Sequence, residues 1–269
     1  MDFSPNKTHI MGVLNVTPDS FSDGGQYSSS VDRAVAHAKQ LVAEGADIID
    51  IGGESTRPGA PVISAEEELA RVLPVVERLR NEVVVPLSID TYKPFVAEHC
   101  LKAGARMIND VTGLGSADMR AVAAQYRVPV VIMHMQGTPQ TMQSNPHYAD
   151  VIGEIKRFFQ ERIALARAGG ITNLILDPGI GFGKTLEHNL AILARLNEFN
   201  EFGYPLLVGP SRKAFIGKLT GGLPVDQRLE GTIAAAVIAS MNGARIVRVH
   251  DVGVCWRALQ VADAVRRVV

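Results

Sequence analysis

Short apolar runs alternate with helix-period segments along the whole 269-residue chain. The runs are HIMGVLNV (9–16), DIIDIGG (47–53), VVVPLSID (83–90), RMINDV (106–111), VPVVIMH (128–134), NLILDPG (173–179), PLLVGPS (205–211) and RIVRVH (245–250). Near-continuous hydrophobicity, in place of strict alternation, is what strands buried on both faces of a parallel sheet require. Between the runs the apolar positions change to helical spacing. Val31, Ala34, Val35, Ala38, Leu41 and Val42 line one face of a predicted helix that Gly45 stops. Ser64 with Glu67 makes a capping-box pattern ahead of Leu69, Val72, Leu73 and Val76. Eight such repeats in a chain near the ~250 residues typical of the fold predict an α/β protein of the (β/α)8 TIM-barrel class. An open doubly wound sheet is the alternative. No linker or low-complexity stretch interrupts the pattern, so residues 1–269 read as one catalytic domain.

Both architectures bind ligands at the carboxyl ends of their strands. Those ends carry Asn15, the Glu54-Ser55-Thr56-Arg57 stretch, Asp90, Asn109-Asp110, His134, Asp177, Ser211-Arg212-Lys213, and Arg248 with His250 and Asp251. Some polar residue is needed at any strand end to meet solvent. Asp90, Asp177 and Arg248 are harder to dismiss, because each sits at or within an apolar run, where an unpaired charge is costly.

Composition narrows the ligand. Lys plus Arg number 27 against 28 Asp plus Glu, a formal net charge of −1, and no basic tract is present. A nucleic acid or anionic membrane is therefore not the expected partner, and cations that meet an anionic ligand must be local. Apolar stretches such as TIAAAVIASM are too short to cross a bilayer, the start MDFSPNKTH lacks a leader pattern, and Cys100 and Cys255 stand far apart. These features predict a cytoplasmic protein with neither a disulfide framework nor a zinc site.

Three lookalikes fall away. DPGIGFGKT (177–185) would need glycine at 178 to be a phosphate loop of the GxxxxGK[ST] type, and the chain has Pro178, so a tight glycine-rich turn is the better reading. His134 reads as a satisfied strand-end residue. Lys213 could be a Schiff-base lysine, its pKa depressed by the adjacent Arg212, but a Ser-Arg-Lys cluster opening a helix suits an anion or an acceptor oxygen better.

The remaining groups sort chemically. The carboxylates Asp90 and Asp177 suit a flat heterocycle with a guanidine-like edge rich in N–H donors, and the Asn109 amide or Lys213 suits an adjacent carbonyl. Thr56, Arg57, Arg248 and His250 could clamp a phosphate, with Arg248 also offering a plane to stack on the ring. Asn15 could share a magnesium ion with that phosphate.

GVLNVTPDSFSDGG (12–25), DIIDIGGESTRPGA (47–60), SIDTYKP (88–94), INDVTG (108–113), DPGIGFGKT (177–185), SRKAFIG (211–217) and RVHDV (248–252) together resemble the dihydropteroate synthase family, in the family's order across the whole chain. The resemblance implies a magnesium-dependent transferase of folate biosynthesis, usually a homodimer. Such an enzyme joins 6-hydroxymethyl-7,8-dihydropterin pyrophosphate to p-aminobenzoate, and sulfonamides compete with the latter. It implies that Asp90, Asn109, Asp177, Lys213 and Arg248 hold the pterin. Asn15, Thr56, Arg57, Arg248 and His250 would hold the pyrophosphate, Asn15 also contributing to the metal. Phe21, Thr56, Pro58, Phe182, Lys213 and Ala214 would form the p-aminobenzoate pocket, with Asp23 organising the closed first loop. Lys213, Asp177, Asp90 and Asp23 would then carry catalysis. Ala214 departs from the family's usual serine. A related methyltetrahydrofolate barrel would share the pterin residues without needing the pyrophosphate residues, and a non-catalytic paralogue would be expected to lose at least one of Lys213, Arg57 or the first loop.

Overall fold

The computed structural model describes residues 3, 6–17, 27–56 and 59–268, the side chains of 27–29 excepted. Eight parallel strands close in chain order: β1 (His9–Asn15), β2 (Ile48–Gly52), β3 (Leu87–Asp90), β4 (Met107–Asp110), β5 (Val130–Met133), β6 (Leu174–Asp177), β7 (Leu206–Val208) and β8 (Ala244–Val249). Each coincides with one predicted apolar run, and closure by β1 pairing with both β2 and β8 excludes the open sheet.

Helices α1 (Tyr27–Ala43), α2 (Ala65–Leu79), α3 (Pro94–Ala103), α4 (Ala117–Tyr126), α5 (Val151–Ala168), α6 (Leu186–Ala194), α7 (Ala214–Leu219), α8 (Leu229–Met241) and α9 (Val252–Arg266) cover the barrel. Their starts follow local chemistry. Ser64 caps α2 by accepting from the Glu67 amide at 3.1 Å, with Glu66, Glu67 and Glu68 in the first turn. Thr185 and His188 exchange side-chain-to-backbone bonds at the start of α6.

Two apolar layers result. The larger lies between strands and helices, while Met11, Ile48, Met107, Val131, Ile175, Leu207 and Ile246 fill the barrel from inside. Side chains alternate along a strand. Two residues beyond that interior plug, the same inward-facing rows therefore hold Val13, Asp50, Asn109, Met133, Asp177, Gly209 and Arg248. β3 adds Asp90, in register with Asn109. The polar groups are thus the next storey of the barrel core, just inside its carboxyl-end mouth.

The opposite end is fastened. Asp263 of α9, 2% exposed, accepts from the Thr8 amide at 2.8 Å, the Thr8 hydroxyl at 2.7 Å and Arg266 at 2.8 Å, tying the approach to β1 to the last helix.

Candidate active site

At the mouth, Arg248 of β8 donates through Nε to Asp50 Oδ2 at 2.6 Å and through Nη2 to Asp90 Oδ2 at 2.7 Å. Asn109 Nδ2 donates to the same Asp50 oxygen at 2.9 Å. One guanidinium therefore joins two carboxylates from neighbouring strands, and an amide from a third strand completes the set. Asp50 is fully buried and its Oδ1 has no hydrogen-bond partner. The pattern of polar strand ends does not point to it, because β2 runs two residues further, to Gly52. Its signal was a carboxylate inside the apolar run IIDIG, the same cue that singles out Asp177.

Burial pushes the Asp90 carboxyl up to about 7; Arg248 works against this, while Asp50, Glu68 and Asp110 add to it. Burial alone would lower the Arg248 pKa, but Asp50 and Asp90 outweigh it and raise it, so the guanidinium stays charged.

The second group lies across the mouth. Asp177 ends β6 and accepts from the Gly179 amide at 2.7 Å. Burial raises its pKa, opposed chiefly by Lys213. Lys213 donates to the Ile180 carbonyl and rests 4.3 Å from the centre of the Phe182 ring. Burial lowers its ammonium to about 7; Asp177 resists this and Arg248 reinforces it. Arg212 plays no part in that. Its φ of 56° puts the backbone in the left-handed region, and its side chain turns to Asp251, with bonds of 2.9 and 2.5 Å. The expected depressing neighbour is thus replaced by Arg248, 35 positions away in sequence but close in space.

The loop after Asp177 is the tight glycine turn that the sequence suggests. A Cβ at Gly179 would lie 1.9 Å from the His134 carbonyl oxygen, and one at Gly181 2.5 Å from Lys213 Cδ. Both have positive φ, 70° and 80°. His134 is a buried, satisfied residue, its pKa lowered to about 3 by burial and by the nearby Lys184 ammonium.

The other predicted residues are less tightly joined. His250 Nδ1 lies 2.9 Å from Ser211 Oγ, across the ends of β8 and β7. Thr56 is half-buried on the segment leaving β2, whose base is held where Lys93 bonds Glu54 and, at 2.6 Å, Glu68. Ala214 is the exposed first residue of α7, preceded by Lys213, whose side chain makes no capping bond. Asn15 ends β1 half-buried, and its side chain bonds no other described residue. Phe21, Asp23, Arg57 and Pro58 lie outside the described residues. Asp110 turns away from the mouth's chemistry, accepting from the Thr112 amide and hydroxyl and the Leu114 amide to build its own loop.

The arrangement offers two carboxylates (Asp90, Asp177) and an amide (Asn109) facing two cations (Lys213, Arg248). Burial pushes the Cys100 and Cys255 thiols up to about 12, so neither is a thiolate at neutral pH.

Residues 11–250 match the family of pterin binding enzymes. Over 258 residues the chain is 53% identical to a dihydropteroate synthase of Escherichia coli strain K12, covering 95% of this chain and 91% of that protein. A Yersinia pestis dihydropteroate synthase solved with a sulfonamide drug superposes with a TM-score of 0.93 at 48% identity, covering 99% of this chain and 96% of the other. A Xanthomonas albilineans dihydropteroate synthase solved with 4-aminobenzoic acid gives a TM-score of 0.91 at 49% identity, with 97% and 93% covered.

Proposed function

The chain belongs to the dihydropteroate synthase family of pterin-binding enzymes, and from that premise we infer how its barrel mouth works. It is a transferase of folate biosynthesis that condenses 6-hydroxymethyl-7,8-dihydropterin pyrophosphate with p-aminobenzoate to give 7,8-dihydropteroate and pyrophosphate. The observation that carries the assignment of roles is the set of Asp90, Asn109 and Asp177 opposite Lys213 and Arg248 in one layer at the barrel mouth.

The pterin's N–H edge pairs with Asp90 and Asp177, its carbonyl side with Asn109 and Lys213, and Arg248 covers its face. The pyrophosphate lies outward, toward Asn15, Thr56, Arg57, Arg248 and His250. Breaking the methylene C–O bond sends the electron pair to the pyrophosphate and leaves a cation delocalised into the pterin ring. The arylamine nitrogen then forms the new C–N bond and releases a proton. No protein nucleophile is needed. The arylamine is neutral at pH 7, so a strong base is not needed either. Catalysis lies in charges fixed in advance: cations for the departing polyanion and carboxylates for the developing cation.

Magnesium fits the donor set. The Asn15 amide oxygen is a hard ligand unclaimed by any described residue, and among the described residues no three His, Cys, Asp or Glu side chains converge. A metal held mainly by substrate phosphates and water suits magnesium; when bound it would neutralise charge on the leaving group. The p-aminobenzoate end is assigned to Thr56, Phe182, Lys213 and Ala214, together with Phe21, Asp23 and Pro58, which lie outside the described residues. Sulfonamides are expected to compete there, as the Yersinia pestis complex suggests. The whole chain, 1–269, acts as one domain, and buried free cysteines suit the cytoplasm.

The deciding assay is pyrophosphate release that requires both the pterin pyrophosphate and p-aminobenzoate; release with neither requirement, or methyl transfer from methyltetrahydrofolate, would overturn the assignment.

The working form is a homodimer formed through α8. Its core side is Thr232, Ala235, Ala236 and Ala239, yet Ile238 is 47% and Met241 42% exposed, with Leu190 of the adjoining α6 at 39%. A helix apolar on both sides wants cover on both, and a self-complementary patch on a two-fold axis provides it. Ile238→Glu is expected to halve the mass seen in sedimentation equilibrium while the far-ultraviolet spectrum stays unchanged. A wild-type monomer, or a variant that remains dimeric, would remove α8 from the interface.

A further inference from the structure

Four successive carbonyls of the glycine loop after β6 are each met by a side chain. Ile180 O accepts from Lys213, Gly181 O from Gln143 Nε2 at 2.9 Å, Phe182 O from Lys184 Nζ at 2.9 Å and Gly183 O from the Tyr148 hydroxyl at 2.9 Å. The Gly181 amide donates to Asn189 at 2.7 Å. A backbone that forms neither helix nor strand has its polar groups paired by the parts around it.

Lys184 is a buried charge in this set, 4% exposed. Besides Phe182 O, its ammonium lies 3.1 Å from His134 Nδ1 and 3.4 Å from His134 O. Three protons thus face three acceptors. Burial lowers the Lys184 pKa to about 7, with Asp177 resisting; in the charged form the ammonium has no lone pair, so Nδ1 is then the acceptor and neutral His134 carries its proton on Nε2. This ties the loop after β6 to the end of β5, where the His134 amide also donates to the Asp177 carbonyl at 2.9 Å.

We propose that Lys184 is a positioning residue for Lys213: by fixing the curve of residues 178–183 it sets where the Ile180 carbonyl and the Phe182 ring stand, and these two hold the Lys213 ammonium. Gly181 makes the transmission direct, since its Cα approaches the Lys213 stem too closely for any Cβ. Tyr148 assists from the other side, its ring edge-on to His188 at 4.9 Å and its hydroxyl on Gly183. The family-like glycine-lysine pair at 183–184 thereby has a role without phosphate. The inference rests on the reading of Lys213 as a pterin contact.

A double-mutant cycle on the full chain tests it, with calorimetric affinity for the pterin pyrophosphate as the readout. Lys184→Met is expected to weaken binding about tenfold, and Lys184→Met with Lys213→Met to bind no worse than Lys213→Met alone, because Lys184 acts through that ammonium. A residue that only stabilises the fold would lower the melting temperature equally in both backgrounds and leave affinity unmoved or its losses additive; either result overturns the proposal. Should Lys184→Met not fold, Tyr148→Phe carries the same cycle with a loss of about threefold. If Lys213→Met alone binds like wild type, the underlying site reading fails instead, which the cycle reports separately.

Discussion

Arg248→Ala is expected to lower folding stability by about 3–5 kcal/mol and to abolish turnover. The stability loss comes from what remains: breaking a buried ion pair from one side leaves the other side's charge without compensation. Here two carboxylates are left, Asp50 fully buried and Asp90 with a side chain 12% exposed. Asp90 already has its pKa pushed up to about 7 with Arg248 in place, so removing the guanidinium drives it further toward the protonated form. Urea denaturation and steady-state kinetics read the two effects separately. Combining Arg248→Met with Asp50→Asn should recover part of the stability and none of the activity. A truncation with wild-type stability would mean that the carboxylates are solvated and the reading of this cluster is wrong. Added magnesium should not help Arg248→Ala, whereas Asn15→Ala should be partly rescued by it, since an arginine contact and a metal ligand are lost in different ways. Parallel magnesium titrations for the two variants would refute that division.

Asp177→Asn should weaken pterin binding by roughly 1.5–3 kcal/mol, the worth of a hydrogen bond to a charged group, and leave the fold standing. Geometry separates the two outcomes. One carboxylate oxygen already accepts from the Gly179 amide at 2.7 Å. In the variant the amide oxygen can keep that bond, which turns the NH2 toward the ligand and sets donor against donor. The glycine turn therefore survives while the pterin edge does not fit. Calorimetry on a variant with an unaltered melting temperature checks it; unchanged affinity would take Asp177 out of the pterin site.

The barrel was legible because doubly buried strands write themselves as apolar runs, and Asp177 and Arg248 were legible because they interrupt such runs. Asp50 interrupts one too, but it lies two residues inward of the end of β2 at Gly52, where no strand-end pattern points to it. Lys184 carries no such cue. In sequence it is a lysine after glycine in a loop, and only the folded chain reveals the three acceptors around its ammonium. Arg212 shows the opposite error: adjacency to Lys213 suggested influence, yet the left-handed turn at Arg212 sends the two side chains to different partners. Strand periodicity predicts which face a residue takes, whereas a turn's handedness is set by tertiary contacts that no local pattern contains.

Asp50 and Arg248 are 198 positions apart, and β8 is the strand that joins β1 to complete the circle. Until β8 has been made, β1 lacks its second neighbour and Asp50 and Asp90 lack their counter-ion. Contacts of such long sequence separation form late and slowly. The cation that neutralises the mouth arrives with the same strand that closes the wall, so barrel closure and assembly of the chemical centre are one event. A nascent chain lacking its last thirty or so residues has neither.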